Sequence, residues 1–422
     1  EDYMKLRIGL LIGLLLLVPA FLMAGGQKEP AGEEKVEISY YWPLYEGLTE
    51  DYRANLEAAF NAANPDIELT IIPVDWEQMH DKLTTALAGG KPPAASTTPT
   101  RWLLEFTALD ACEPVEDWVS KETMDNIAPG VKVAYVNGVL MGLPVAAGAR
   151  IMAYNADLTD TVPTTFEGLR DAALAVQANN PDAYGLIMPG KKHAELSDFV
   201  YYFYGAGGDF FAKESDGSYG KCTVNSPAGV KALDFMVQLA TKDKVVQDGY
   251  TSQDRKGAQP VFYAGKAGYV LIGAWVESAA KESGDSFNMK YAQIPAFEGN
   301  KSAPLVVTDS IAFFTEAGED QLAAAGKFID FWYQDEYKPG WDELVGFPPV
   351  TISAAKLPQF QTPLYQALNE AALNAKGWPL MDGFAEYSDL IWDANEKAFL
   401  GMMSAQEALD EAAAKIDAIR GK

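Results

Sequence analysis

Strand and helix signals alternate along this chain, and that alternation restricts it to a sheet of largely parallel strands covered by helices. Val36, Ile38 and Tyr40 alternate as a strand. Leu48, Tyr52, Leu56 and Phe60 then recur every four residues, the spacing of one helix face. Glu50 and Asp51 stand in the first turn, where negative charge suits the helix dipole. Asn64-Pro65 ends the helix, because the residue before a proline is pushed out of the helical region. Residues 67–72 read as the next strand. Asp75 caps a second helix with Gln78 as its capping-box partner, and Met79, Leu83 and Leu87 supply the apolar stripe. Gly89-Gly90 and Pro92-Pro93 stop it.

The same grammar continues. Thr164 and Glu167 predict a capping box before an alanine-rich helix. Ser226-Pro227 starts a helix bearing Val230, Leu233 and Val237. Residues 269–272 form a short buried strand that breaks at Gly273-Ala274-Trp275, and residues 305–315 form another. Ser404 and Glu407 predict a capping box for the last helix, with Leu409, Ile416 and Ile419 on its buried face.

The 422 residues are 48% hydrophobic and carry a formal net charge of -26. Such a chain can bury large cores, and its negative field disfavours nucleic acid and anionic membranes. Residues 4–24 read as a signal peptide: basic Lys5 and Arg7, then an apolar core too short to span a bilayer, then small residues up to Ala24. Residues 25–32 read as a tether. No cysteine stands near the cleavage point, so a lipid anchor is not supported. Cys112 and Cys222 are expected to be free, buried thiols. They and the two histidines, His80 and His193, make no metal-ligand spacing, and no catalytic arrangement or cofactor motif is found.

Several segments resemble one family, in order along the chain. Ala63-Asn64-Pro65-Asp66-Ile67 resembles its helix-to-strand turn. Residues 82–90 with Pro92-Pro93 resemble its second helix and the loop beyond. Gly142-Leu143-Pro144 and Tyr154-Asn155 resemble its hinge, residues 262–269 its Gly-Lys-Ala segment, and Gly273-Ala274-Trp275 its Gly-x-Trp turn. The chain is similar to extracellular solute-binding proteins of ABC importers, in the carbohydrate-binding group that includes maltose- and glycerol-phosphate-binding proteins. It departs from that pattern after Pro93, where Ala94-Ala95-Ser96-Thr97-Thr98 replaces the usual Asp-Val-Val.

The resemblance implies a two-lobe α/β periplasmic-binding-protein fold with a hinge at Gly142 and Pro144. One lobe is expected from residues 33–143 and 304–346, the other from 144–303 and 347–422, with the solute held between them. The protein is then expected to be periplasmic or extracellular, to work as a monomer, to bind a small carbohydrate without catalysis, cofactor or metal, and to deliver it to the transmembrane subunits of an ABC permease. The alternatives are a receptor for a non-sugar solute, such as glycerol phosphate or a polyamine, and an exported glycoside hydrolase. The last needs two carboxyls flanking the bond, and no local signature selects a pair.

Sugars present apolar C–H faces and a rim of hydroxyls, so aromatic rings and polar groups just after strands are the candidates. These are Trp42, Tyr45 and Glu46; Asp75; Thr98 and Arg101; Arg150; Trp275; Asp309; Phe347; and Trp378. Trp42 and Phe347 serve equally as core residues, Glu46 and Asp75 as helix-start charges, and Arg101 as half of a surface ion pair. Asp309 interrupts an apolar strand and needs a partner, either ligand or protein.

Overall fold

The computed structural model describes residues 35–422 apart from 194, 216, 217 and 285. The expected signal peptide (4–24), the tether (25–32) and residues 33–34 of the expected first lobe lie outside the described residues.

The strands are β1 (Val36–Pro43), β2 (Ile67–Val74), β3 (Ala95–Pro99), β4 (Cys112–Glu113), β5 (Tyr135–Val136), β6 (Val139–Leu140), β7 (Leu143–Ala149), β8 (Ile151–Asn155), β9 (Tyr184–Ile187), β10 (Phe211–Lys213), β11 (Tyr219–Cys222), β12 (Ala267–Ile272), β13 (Met289–Ala292) and β14 (Val306–Phe314). One sheet runs β2-β1-β3-β14-β4, with β7 also paired to β14; a second runs β13-β8-β12-β9. β1 is parallel to β2 and β3, as the strand–helix alternation predicts. β14 is antiparallel to β3 and β7, so the first sheet is mixed. The reason is topological: β14 follows β13 of the second sheet, and so enters the first sheet at the end from which β7 leaves.

That exchange defines the middle of the molecule. β7 pairs with β14 up to Ala149 opposite Val306, with a register shift between Asp309 and Ser310, and β8 begins at Ile151 in the other sheet. Arg150 alone separates the two strands. Pro144, expected at the crossing, lies inside β7 opposite Ser310, and its carbonyl accepts a 2.6 Å hydrogen bond from the Tyr333 hydroxyl. Gly142 precedes β7 where a side chain has no room, because a β-carbon there would collide with Leu103 and Ser310.

The smaller apolar cluster lines the second sheet, while the larger covers the first sheet and also takes in Ile151, Ala153, Ile187, Val270 and Ile272 of the second. Against the first pack the helices Glu50–Ala63 and Glu319–Trp332, through Phe60, Phe328 and Trp332. Against the second pack Phe199–Gly205, Pro227–Thr241 and Ala405–Arg420. Phe347, Phe360, Leu364 and Leu368 lie in the larger cluster, which borders both sheets. The helix Pro363–Ala372 touches both β7 and β13, so this stretch bridges the two sheets. Cys112 belongs to the larger cluster and Cys222 to the smaller; both thiols are free and buried.

Of three local expectations, one holds and two do not. The Ser404–Glu407 capping box forms as read. The helix Phe166–Asn179 is capped by Thr165 through Gly168, not by Thr164 with Glu167. Asp75 occupies the N-cap position of the helix Trp76–Ala88 but makes no capping hydrogen bond, because its carboxylate is engaged by Lys256 at 2.8 Å.

Candidate functional site

The site is built where the first sheet gives way to the second. On β14, Asp309 sits between Pro99 of β3 and Ala146 of β7, 4% exposed. Burial pushes its carboxyl up to about 6, and the hydrogen bond from Tyr45 with the charges of Arg101 and Arg150 limits the rise. The Tyr45 hydroxyl donates to Oδ2 at 2.8 Å. The Tyr45 ring meets Trp76 and Trp341 edge-on at 5.1 Å and Phe347 at 6.0 Å, so three aromatic rings hold the Asp309 partner in place.

At the crossing, the buried Arg150 donates from Nη2 to Glu195 at 2.6 Å. Arg255 reaches the same carboxylate at 3.2 Å, and His193 Nδ1 stands 3.1 Å from it. Burial opposes the charge on Glu195, but Arg255 and Arg150 outweigh it and hold the carboxyl well below the usual range. Burial pulls His193 down, toward the neutral ring, and pushes Asp198 well above the ordinary aspartate range. The loop bearing this carboxylate is conformationally costly. Leu196, Ser197 and Asp198 have φ of 55°, 57° and 64°, a left-handed run that costs L-residues about 1–2 kcal/mol each. Trp275 lies against both guanidiniums, 4.8 Å from Arg150 and 4.9 Å from Arg255, and its Nε1 donates to Gln259 at 3.0 Å.

Arg101 completes the group. It is partly buried, 5.7 Å from the rings of both Trp102 and Trp378, and donates no hydrogen bond among the described residues. Burial pulls it down, against the fields of Asp309 and Glu195. Trp102 belongs to the larger cluster and Trp378 packs against the smaller, so this guanidinium spans the gap between them. A cavity of about 310 Å³ opens nearby, with Glu46 from the loop after β1 on one side and Arg255, Lys256, Gln259 and Tyr263 on the other. The two halves also meet at Gly346, whose φ of 77° and lack of side chain allow contact with the Ala274 carbonyl; a β-carbon there would collide with it.

The structure thus brings Tyr45, Asp309, Arg101, Arg150, Trp275, Phe347 and Trp378 into one region, with Glu46 and the Asp75–Lys256 ion pair at its edge. Trp42 is elsewhere: it is 1% exposed in the first core, 4.6 Å from the Trp332 ring. Thr98 is buried inside β3 beside Ser310. Trp275 is 3% exposed and engaged by two arginines, so it is a platform for cations in this conformation. The sequence reading missed Glu195, His193, Arg255 and Trp341. For the first two a signal existed: polar residues lead directly into Phe199–Gly205, a helix buried at every position, which draws the preceding loop inward. Arg255 carries no local mark.

The sequence profile described as bacterial extracellular solute-binding protein matches residues 55–368. The chain belongs to this family. It is a solute-binding receptor of the ABC-importer kind. The receptor is 29% identical to a binding protein of Brucella abortus over 428 residues, 99% of each chain. It is 21% identical to the sn-glycerol-3-phosphate-binding periplasmic protein of Rhizobium meliloti, over 88% of this chain and 91% of that one. Among solved structures, maltose-bound MalE3 of T. maritima superposes with a TM-score of 0.81 at 22% identity, covering 91% of this receptor and 100% of MalE3. That likeness establishes the fold: two lobes, each with its own sheet.

Proposed function

We propose that the receptor captures a polyhydroxylated solute, a sugar or short oligosaccharide, between its two sheets and delivers it to an ABC permease without altering it. One observation carries this reading. Elements of both sheets converge on one region that combines indole and phenol rings with under-bonded arginines and a buried aspartate. Rings cover the C–H faces of a sugar, and charged donors and acceptors serve its hydroxyls. The crossing at Arg150 and the bridging stretch 347–372 are the connections about which the lobes would close. Closure requires the solute to bind the closed form more tightly than the open one. Relatives support the reading: maltose-bound MalE3 and a maltotriose-bound neighbour from Thermus thermophilus share the fold, and a maltodextrin-binding protein of Bacillus subtilis is 24% identical over 82% of this chain.

Calorimetric titration with a panel of mono- and oligosaccharides tests the reading. Saturable one-to-one binding, with the solute recovered chemically unchanged, is expected. Turnover of an oligosaccharide, or no heat and no rise in melting temperature across the panel, overturns it.

A further inference from the structure

We propose that the solute carries an acidic group, a carboxylate or a phosphate ester, and that Arg150 and Arg101 receive it. This rests on the region between the sheets being the solute site. Arg150 is 3% exposed, and of its three nitrogens only Nη2 has a hydrogen-bond partner. Nε and Nη1 are buried with none. An unmade buried hydrogen bond costs about 1–3 kcal/mol, and more on a charged group. Arg101 likewise holds a full set of donors between two indoles and spends none on the protein. The charges of both guanidiniums oppose the effect of burial on the Asp309 carboxyl.

Two arginines with unspent donors suit an oxyanion, which accepts several charge-assisted hydrogen bonds and neutralises charge. A neutral hydroxyl accepts at one point and leaves the remaining donors unpaired. Arg101, Arg150 and Arg255 face Glu195 and Asp309, while Asp198 is driven toward its protonated form by burial and by Glu195. Glu46 and Glu77 add negative charge beside Arg255. With an overall charge of -26 the outer field repels anions, so the capture of one must be made by specific donors.

The experiment is calorimetric titration of the full chain with D-galacturonate, sn-glycerol 3-phosphate, neutral D-galactose and maltose, repeated on Arg101→Met, Arg101→Lys and Arg150→Met. At least one acid is expected to bind more tightly than the neutral sugars, with affinity falling as salt rises. Arg101→Met should cut the preference for acid over neutral sugar by about 10–100-fold, the worth of a charged hydrogen bond. Arg101→Lys, which keeps the charge and loses the planar donor set, should lose less. Galacturonate against glycerol phosphate separates carboxylate from phosphate. Neutral sugar bound as tightly as either acid, or an acid preference untouched in both Met variants that still fold by circular dichroism, overturns the inference and leaves the receptor reading intact. Binding of none of the four removes the sugar-sized site and the inference with it.

Discussion

Arg150 and Lys338 are both buried cations beside β7, and they are treated in opposite ways. Lys338, on the helix Lys338–Val345, is 0% exposed. Its ammonium is ion-paired with Asp342 one turn on, donates to the Val145 carbonyl at 3.1 Å, and lies 4.2 Å from the Trp341 ring. Its charge is balanced one to one and two of its donors are engaged, although Asp342 Oδ2 is buried without a partner. Arg150, at the other end of the same strand, shares its carboxylate with Arg255 and leaves two nitrogens idle. A cation that serves the fold is closed off by the fold. A cation left with unspent donors in an otherwise well-packed interior points to something the protein does not itself supply.

The sharpest way to break this contrast is at Lys338. Asp342→Ala strands a buried ammonium and should cost about 3–5 kcal/mol in urea denaturation, while Lys338→Met with Asp342→Leu should come out near neutral. A loss below about 1 kcal/mol for the single variant would show that the pair is not the closed unit described. The second test concerns pH. Burial raises both Asp309 and Asp342 to about 6. A carboxyl whose folded value is raised binds its proton more readily in the native state. Stability contributed by these groups is therefore greatest below about pH 4, falls as pH rises to 6, and is level above that. Asp309→Asn should remove up to about 3 kcal/mol of that fall. Glu195 works the other way: its lowered value adds stability above the ordinary glutamate range that is lost on acidification. A fall unchanged in the Asn variant would place Asp309 outside the buried network.

Smaller effects refine the picture. Tyr45→Phe removes the hydrogen bond to Asp309 and should cost about 1–2 kcal/mol, with weaker solute binding than Trp42→Phe produces in the first core. Ser197→Gly relieves one left-handed residue but removes the buried hydroxyl's hydrogen bonds to the Gly190 and Lys191 carbonyls, so stability should stay within about 1 kcal/mol of the parent. If solute affinity falls at the same time, the loop's conformation is part of how Glu195 is aimed.

Much of the fold can be read from the residues themselves. Period-two and period-four patterns mark the strands and helices because each element buries one face, and the Ser404–Glu407 cap is a wholly local event. The same alternation that marks β1 also places Trp42 on the face of Ile38 and Tyr40, and that face is the core. Position after a strand alone does not distinguish core from cleft. Within the site, Asp309 and Arg150 stand out because a charge in an apolar strand must be answered. Glu195 and Arg255 do not, since their meaning comes from each other across 60 residues of chain. Asp75 fails as a cap for a related reason: Lys256, 181 positions away, competes for it.

The two thiols carry a practical consequence. Burial pushes Cys112 up to about 12 and Cys222 up to about 11, so neither offers appreciable thiolate to an alkylating reagent while its surroundings are intact. One reports on the first sheet and the other on the smaller apolar cluster. Brief labelling along a denaturant series, followed by peptide mapping, would therefore time the melting of each half separately and reveal whether bound solute couples them into a single cooperative event.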